Sequence, residues 1–166
     1  MKKTKKIISL IMLLCIITNI NIVASAQEES TDVEVNSFSE DNAPAFKESD
    51  PYVDGIYNTG ARSAMTGLVR LYKSGSKVCA LYSTVYTSKV DQIGVKDIKL
   101  QYKGSLGVWH TIVSINNRYS TNDSSYQGSF SCTGVLGRTY RLKATHYIID
   151  GIGSESKNNE TGGLTF

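Results

Sequence analysis

The chain of 166 residues offers few side chains for nucleophilic, acid–base or metal chemistry: two histidines, His110 and His146, and three cysteines, Cys15, Cys79 and Cys132. Each histidine lies beside an aromatic residue, Trp109 before the first and Tyr147 after the second, and no cysteine or carboxylate stands at a metal-ligand spacing from either. Both are expected to be structural. No Gly-x-Ser-x-Gly elbow is present, which argues against a Ser-His-Asp hydrolase. Ser74/Lys77 and Ser154/Lys157 match the Ser-x-x-Lys spacing, but both pairs fall in glycine-flanked segments where no helix would bring the two side chains onto one face. Asp91, Asp97, Asp150 and Glu155 border polar stretches, yet no Asp-x-Asp-x-Asp-Gly run makes them a calcium loop. These spacings predict no catalytic residue, no metal and no cofactor.

Aromatic and polar side chains remain as candidates for recognition. Tyr119, Asn122 and Tyr126 fall in or beside one long polar stretch, and Tyr147, Asp150 and Lys157 flank or enter another. Tyrosine rings in such places stack on sugar faces or anchor a partner surface, the alternative being packing against the core. Trp109 is expected to plug the core.

The elements that must position these residues follow a segment of another kind. Lys2, Lys3, Lys5 and Lys6 precede an apolar run over residues 7–17, and Val23-Ala24-Ser25-Ala26 places small residues where a signal peptidase reads them. Residues 1–26 are therefore expected to be a signal peptide cut after Ala26. Thr18, Asn19 and Asn21 interrupt the apolar run before it reaches the roughly 20 residues that span hydrocarbon. Cys15 follows Leu14 where a lipoprotein needs a small residue, and Gly162-Gly163-Leu164-Thr165-Phe166 forms neither an apolar tail nor a wall-sorting signal. A released, extracellular product with no stable membrane anchor is expected. In that oxidising setting Cys79 and Cys132, the two cysteines left after processing, permit one disulfide or stay as buried thiols.

Without residues 1–26 the chain holds 14 basic and 15 acidic side chains, so the basicity of the whole belongs to the signal. Residues 27–58 carry nine acidic side chains, one lysine and both prolines, with neither helical nor strand periodicity, and are expected to be a flexible acidic segment. Residues 59–166 carry 13 basic against 6 acidic side chains, scattered singly without a basic cluster, which argues against nucleic acid as a partner.

From residue 59 onward the chain has no proline, thirteen glycines, and short runs of β-branched and aromatic residues. Strands are expected over residues 66–73, 77–87, 97–103, 108–115, 126–133, 138–149 and 164–166. Ile98, Leu100 and Tyr102 share one face, as do Phe130 and Cys132, and Tyr140, Leu142 and Ala144. Seven strands separated alternately by tight glycine turns and long polar stretches predict an all-β domain at 59–166, an antiparallel two-sheet sandwich. The polar stretches over residues 88–96, 116–125 and 150–163 should then gather as loops at one pole and form the binding surface.

The run Leu136-Gly137-Arg138-Thr139-Tyr140-Arg141-Leu142 resembles the corner before the sixth strand of fibronectin type III and immunoglobulin-like domains, which would make Tyr140 a structural tyrosine corner. Four further runs carry a second resemblance: Thr66-Gly67-Leu68-Val69-Arg70-Leu71-Tyr72, Val90-Asp91-Gln92-Ile93-Gly94-Val95, Gly107-Val108-Trp109-His110-Thr111 and Tyr140-Arg141-Leu142-Lys143-Ala144-Thr145-His146-Tyr147. Over roughly residues 62–166, the size of one domain, they resemble a family of small exported Gram-positive proteins of unknown function. That resemblance implies a secreted sandwich and brings no catalytic residue. The expected function is a non-enzymatic binding module for a glycan, a cell-envelope component, or a host or bacterial surface protein. The alternatives are a small extracellular hydrolase, or an effector whose acidic segment is a pro-region.

Overall fold

The computed structural model describes residues 39–40, 43–58 and 64–166, so the expected signal peptide and its cleavage after Ala26 lie outside the described residues. The described residues form eight strands and no helix: β1 (Ser39–Glu40), β2 (Tyr52–Asn58), β3 (Thr66–Ser74), β4 (Lys77–Lys103), β5 (Trp109–Thr133), β6 (Thr139–Asp150), β7 (Gly153–Glu160) and β8 (Leu164–Thr165). Every pairing is antiparallel. One continuous sheet runs through all eight strands and curls into a half-barrel.

The long β4–β5 hairpin organises that sheet. β4 pairs with β5 along one edge, while its other edge pairs first with β3, over residues 77–85, and then with β6, over residues 92–102. Between these stretches residues 86–89 of β4 face only Ser124 of β5, and Asn122 takes a positive φ of 51°. Extra residues on one strand of a pair bend it sharply. The hairpin therefore folds in half, giving a first arm of β2, β3 and the adjoining halves of β4 and β5, and a second arm of the other halves with β6 and β7. β2 and β3 meet β6 and β7 across the fold.

Side chains that alternate along the strands meet inside the curl. Val69, Leu71, Val78, Ala80, Tyr82 and Phe130 of the first arm pack on Val95, Ile98, Leu100, Leu142 and Tyr140 of the second, and all are buried. Two glycines permit the close approach. A Cβ on Gly55 would lie 2.2 Å from the Glu160 carbonyl oxygen, and one on Gly67 would lie 2.4 Å from the His146 ring.

The structure departs from the sequence expectations in three places. The polar stretches at 88–96 and 116–125 are strand, paired with each other from Val90↔Asp123 to Lys96↔Asn117, and most of 150–163 is β7 and its turn. No loop pole forms from them, because they pair as sheet: Gln92, Lys96, Asn117 and Tyr119 share its outer face, while Val90, Ile93 and Val95 are buried. Residues 52–58 of the acidic segment are not a free tail but pair with β3 through the whole of β2. Phe46, earlier in that segment, packs edge-on to Tyr52 and Tyr72 at 5.1 and 5.4 Å and lies under the Arg70 guanidinium at 4.2 Å. Burial of its ring is the apolar gain that fixes an otherwise polar segment.

The third concerns the thiols. Cys79 stands opposite Ser131 and Cys132 opposite Val78, so the two side chains leave neighbouring strands on opposite faces of the sheet. A disulfide needs Cβ atoms about 3.8 Å apart and pointing toward each other. Both thiols are free and buried, and burial pushes Cys79 up to about 11 and Cys132 up to about 12.

Candidate functional site

The outer face of the second arm carries a lattice of side chains set by register. Three rows cross β5, β4, β6 and β7 in that order: Thr121, Gln92, Ile149 and Ser154; then Tyr119, Gly94, Tyr147 and Ser156; then Asn117, Lys96, Thr145 and Asn158. Beyond a one-residue bulge in β4 the next row is Ser114, Lys99, Lys143 and Glu160. Asp97 sits at that bulge with φ 51°, a left-handed conformation that costs a non-glycine residue about 1–2 kcal/mol.

Two grooves open on this face. The larger, about 630 Å³, is lined by Asp97, Lys99, Gln101, Lys143, Thr145, Asn158 and Glu160, with Ile56 at its rim. The smaller, about 250 Å³, is lined by Gln92, Lys96, Asn117, Tyr147, Ser154, Glu155 and Ser156. Both are rich in amide, hydroxyl and charged groups, and cations and carboxylates stand together in the larger. The Thr145 hydroxyl donates to Asn158 Oδ1 at 2.8 Å, and Glu160 lies 3.4 Å from Lys143 Nζ and 3.6 Å from Arg141. Arg141 also donates to Gln101 Oε1 at 2.9 Å and covers the Trp109 ring at 4.3 Å.

Two tyrosines flank the glycine in the middle row. Tyr147 is buried among its neighbours: its hydroxyl donates to Asn117 Oδ1 at 2.9 Å and lies 3.1 Å from Gln92 Oε1, with Lys96 Nζ 5.5 Å above the ring. Burial raises its pKa, so the phenol stays protonated and able to donate. Tyr119 is 49% exposed. A Cβ on Gly94 would stand 2.2 Å from the Arg118 carbonyl oxygen and 2.7 Å from the Tyr119 Cβ, so no larger residue fits between the rings.

A polar bolt beneath this face holds the arms together. Thr84 of the first arm donates its hydroxyl hydrogen to the Gly94 carbonyl at 2.9 Å, which leaves its oxygen to accept from His146 Nδ1, also at 2.9 Å. The imidazole is therefore protonated at Nδ1. Its Nε2 faces the Asn159 amide at 3.5 Å, and that amide also donates to the Gly55 carbonyl at 3.0 Å. His146 is fully buried, and desolvation lowers its pKa to about 4. It is sealed from solvent and from any substrate.

Of the six recognition residues expected from sequence, the fold brings Tyr119 and Tyr147 together and disperses the rest. Asn122 lies at the bend of β5. Tyr126 turns inward and stacks on Tyr82 at 6.5 Å. Asp150 ends β6 and accepts the Gly151 N–H at 2.8 Å, and Lys157 stands opposite His146 on β7. The Tyr140 hydroxyl accepts the Val135 N–H at 2.9 Å. Among the described residues no three His, Cys, Asp or Glu side chains are placed to hold a metal ion, and Asp91, Asp97, Asp150 and Glu155 form no such group. Sequence reasoning missed Gln92, Lys96, Asp97, Lys99, Asn117, Lys143 and Asn158. The alternation Gln92, Gly94, Lys96 against Ile93, Val95 was the available signal, a polar face two residues in period.

Comparison with protein families, with curated proteins and with solved structures returned no match.

Proposed function

We propose that this protein is an exported, non-enzymatic binding module that takes a glycan along the outer face of its second arm. The observation that carries this reading is the row Tyr119–Gly94–Tyr147 set between two rows that hold amides, hydroxyls and Lys96. A sugar presents hydroxyls at its rim and C–H groups on its face, and protein sites answer with hydrogen-bonding side chains around an aromatic ring. Tyr119 supplies an accessible ring, and Gln92, Lys96 and Asn117 supply donors and acceptors around it. The adjoining groove, about 630 Å³ and lined by Lys99, Gln101, Lys143 and Asn158, has room to extend the chain by further sugar units. Binding rather than turnover is favoured because the hydroxyl–imidazole pair Thr84–His146 is enclosed.

In this reading the signal peptide over residues 1–26 delivers the protein outside the cell, and the two arms of the folded hairpin serve as the two layers of a fibronectin- or immunoglobulin-like sandwich. An envelope glycan is the partner that chemistry and compartment share.

The test is a glycan array probed with the purified protein, followed by calorimetry on the best ligand. Tyr119→Ala and Gln92→Ala should each weaken binding about tenfold or more, the loss of one stacking or one well-placed polar contact. Asn122→Ala, at the bend, should leave it unchanged. Equal affinity of all three variants would refute the assignment of this face.

A further inference from the structure

The end of the molecule opposite the hairpin bend presents a feature that glycan binding does not use. Two of its turns repeat one pattern, Gly104-Ser105-Leu106-Gly107 between β4 and β5 and Gly134-Val135-Leu136-Gly137 between β5 and β6. In both, the last glycine has φ 79°, a conformation that glycine adopts freely, and the leucine before it stands in solvent. Leu106 and Leu136 are 81% and 84% exposed, and Val108 and Val135 are exposed beside them. The turn geometry requires the glycines and places no demand on the leucines.

The turns lie side by side. Tyr102 at the end of β4 pairs with Tyr140 at the start of β6, and Arg138 lies over the Tyr102 ring at 4.4 Å. The third tight turn, between β3 and β4, joins them through the Gly134 N–H donating to the Ser76 carbonyl at 2.9 Å. Behind the tips sits a band of partly buried rings, Tyr102, Trp109 and Phe166, with Lys73 4.4 Å above the last.

Charge is distributed to match. The segments meeting here, residues 73–77, 103–109, 133–139 and 161–166, contain Lys73, Lys77, Lys103 and Arg138 and no Asp or Glu side chain. Lys47, Glu48 and Asp50 on the neighbouring turn subtract one charge and leave this end positive. Among the described residues the bend end, 86–91, 121–125 and 150–153, carries Asp91, Asp123 and Asp150 against Lys89. A molecule polarised in this way turns its positive end toward an anionic surface.

We infer that this end docks on an anionic phospholipid bilayer, with Leu106 and Leu136 entering the acyl boundary, the aromatic band at headgroup level, and Lys77, Lys103 and Arg138 against the phosphates. Apolar tips, then aromatic rings, then cations is the order in which an interfacial protein meets a membrane. A protein partner for the same tips would need a complementary cup, whereas two leucines projecting from separate turns suit a fluid surface. The inference does not rest on the glycan reading, since it uses the other end of the molecule.

Trp109, the chain's one tryptophan, stands next to Val108 and reports on this end alone, whatever the N-terminal segment does. The full chain is mixed with vesicles of phosphatidylglycerol and phosphatidylcholine, or of phosphatidylcholine only, each doped with a shallow doxyl-labelled lipid. Trp109 fluorescence should be quenched by the anionic vesicles and not by the neutral ones. Leu106→Ser combined with Leu136→Ser should lower the partition coefficient read from quenching by at least about tenfold, as the loss of two inserted leucines implies. Lys77→Glu with Lys103→Glu should abolish the preference for anionic lipid. Both variants change exposed side chains, and their circular dichroism and melting temperatures should match those of the parent. Vesicles that pellet the protein without quenching Trp109, or quenching unchanged in the leucine variant, would overturn the inference and would point to another segment or to a protein partner.

Discussion

Lowering the pH from 7 to 5 should destabilise the folded protein by about 2 kcal/mol through His146 alone. The imidazole titrates near 6.5 in an unfolded chain and is lowered to about 4 by burial, so across the interval between those values the unfolded state binds the extra proton. Stability is fully present above the unfolded pKa and is lost as the pH falls toward the folded one. With both forms titrated the loss would reach about 3 kcal/mol, of which about 2 kcal/mol is expended by pH 5. The structural cause is specific. Nδ1 already donates to Thr84, and a second proton on Nε2 would face the Asn159 amide, which is itself a donor. Asn159 would have to turn and give up its bond to the Gly55 carbonyl, one of the ties between the arms. Whatever the carboxylates contribute over this interval is common to the parent and to His146→Gln and cancels in their difference. Urea unfolding at both pH values, for the parent and for His146→Gln, measures the difference, and the parent should lose about 2 kcal/mol more than the variant. A long-range nitrogen–proton spectrum of the native protein checks the same claim without a variant. It should show one imidazole protonated at Nδ1 and still neutral at pH 5. An imidazole at His146 that titrates above pH 6 in the folded protein, or an equal loss of stability in parent and variant, would refute the reasoning.

Three further outcomes follow from the packing. Gly94→Ala would drive a Cβ to 2.2 Å from the Arg118 carbonyl oxygen, and a drop of about 3 kcal/mol in unfolding free energy is expected from the strand displacement that follows. Cys79 and Cys132, held up near 11 and 12, should resist a thiol reagent at pH 8 in the native protein and both react on unfolding, with modification sites located by mass spectrometry. Protection that vanishes only on adding a reductant would instead mean a disulfide. Asp54→Ala removes the bidentate partner of Arg70, at 2.6 and 2.7 Å on a half-buried surface. It should cost about 1 kcal/mol by denaturant titration, lessened at high salt.

The all-β class was legible in the sequence because it rests on local alternation. Ile98, Leu100 and Tyr102, or Tyr140, Leu142 and Ala144, declare a buried face within a few residues, and Gly107 and Gly137 mark turns that only glycine makes easily. The candidate site was half legible: Tyr119 and Tyr147 stand out by type, but Gln92, Lys96 and Asn117 read as loop because nothing local distinguishes a polar strand face from a polar turn. What the tertiary structure decided was which surfaces meet. The bend at residues 86–89 lays one half of β4 over the other, and that alone buries His146 against Thr84 and Gly67. Register, a non-local quantity, sends Cys79 and Cys132 to opposite faces and places Tyr119, Gly94 and Tyr147 in one row. A side chain's direction is set by its own backbone, whereas what covers it is chosen by segments far along the chain, such as Phe46 settling on Tyr72.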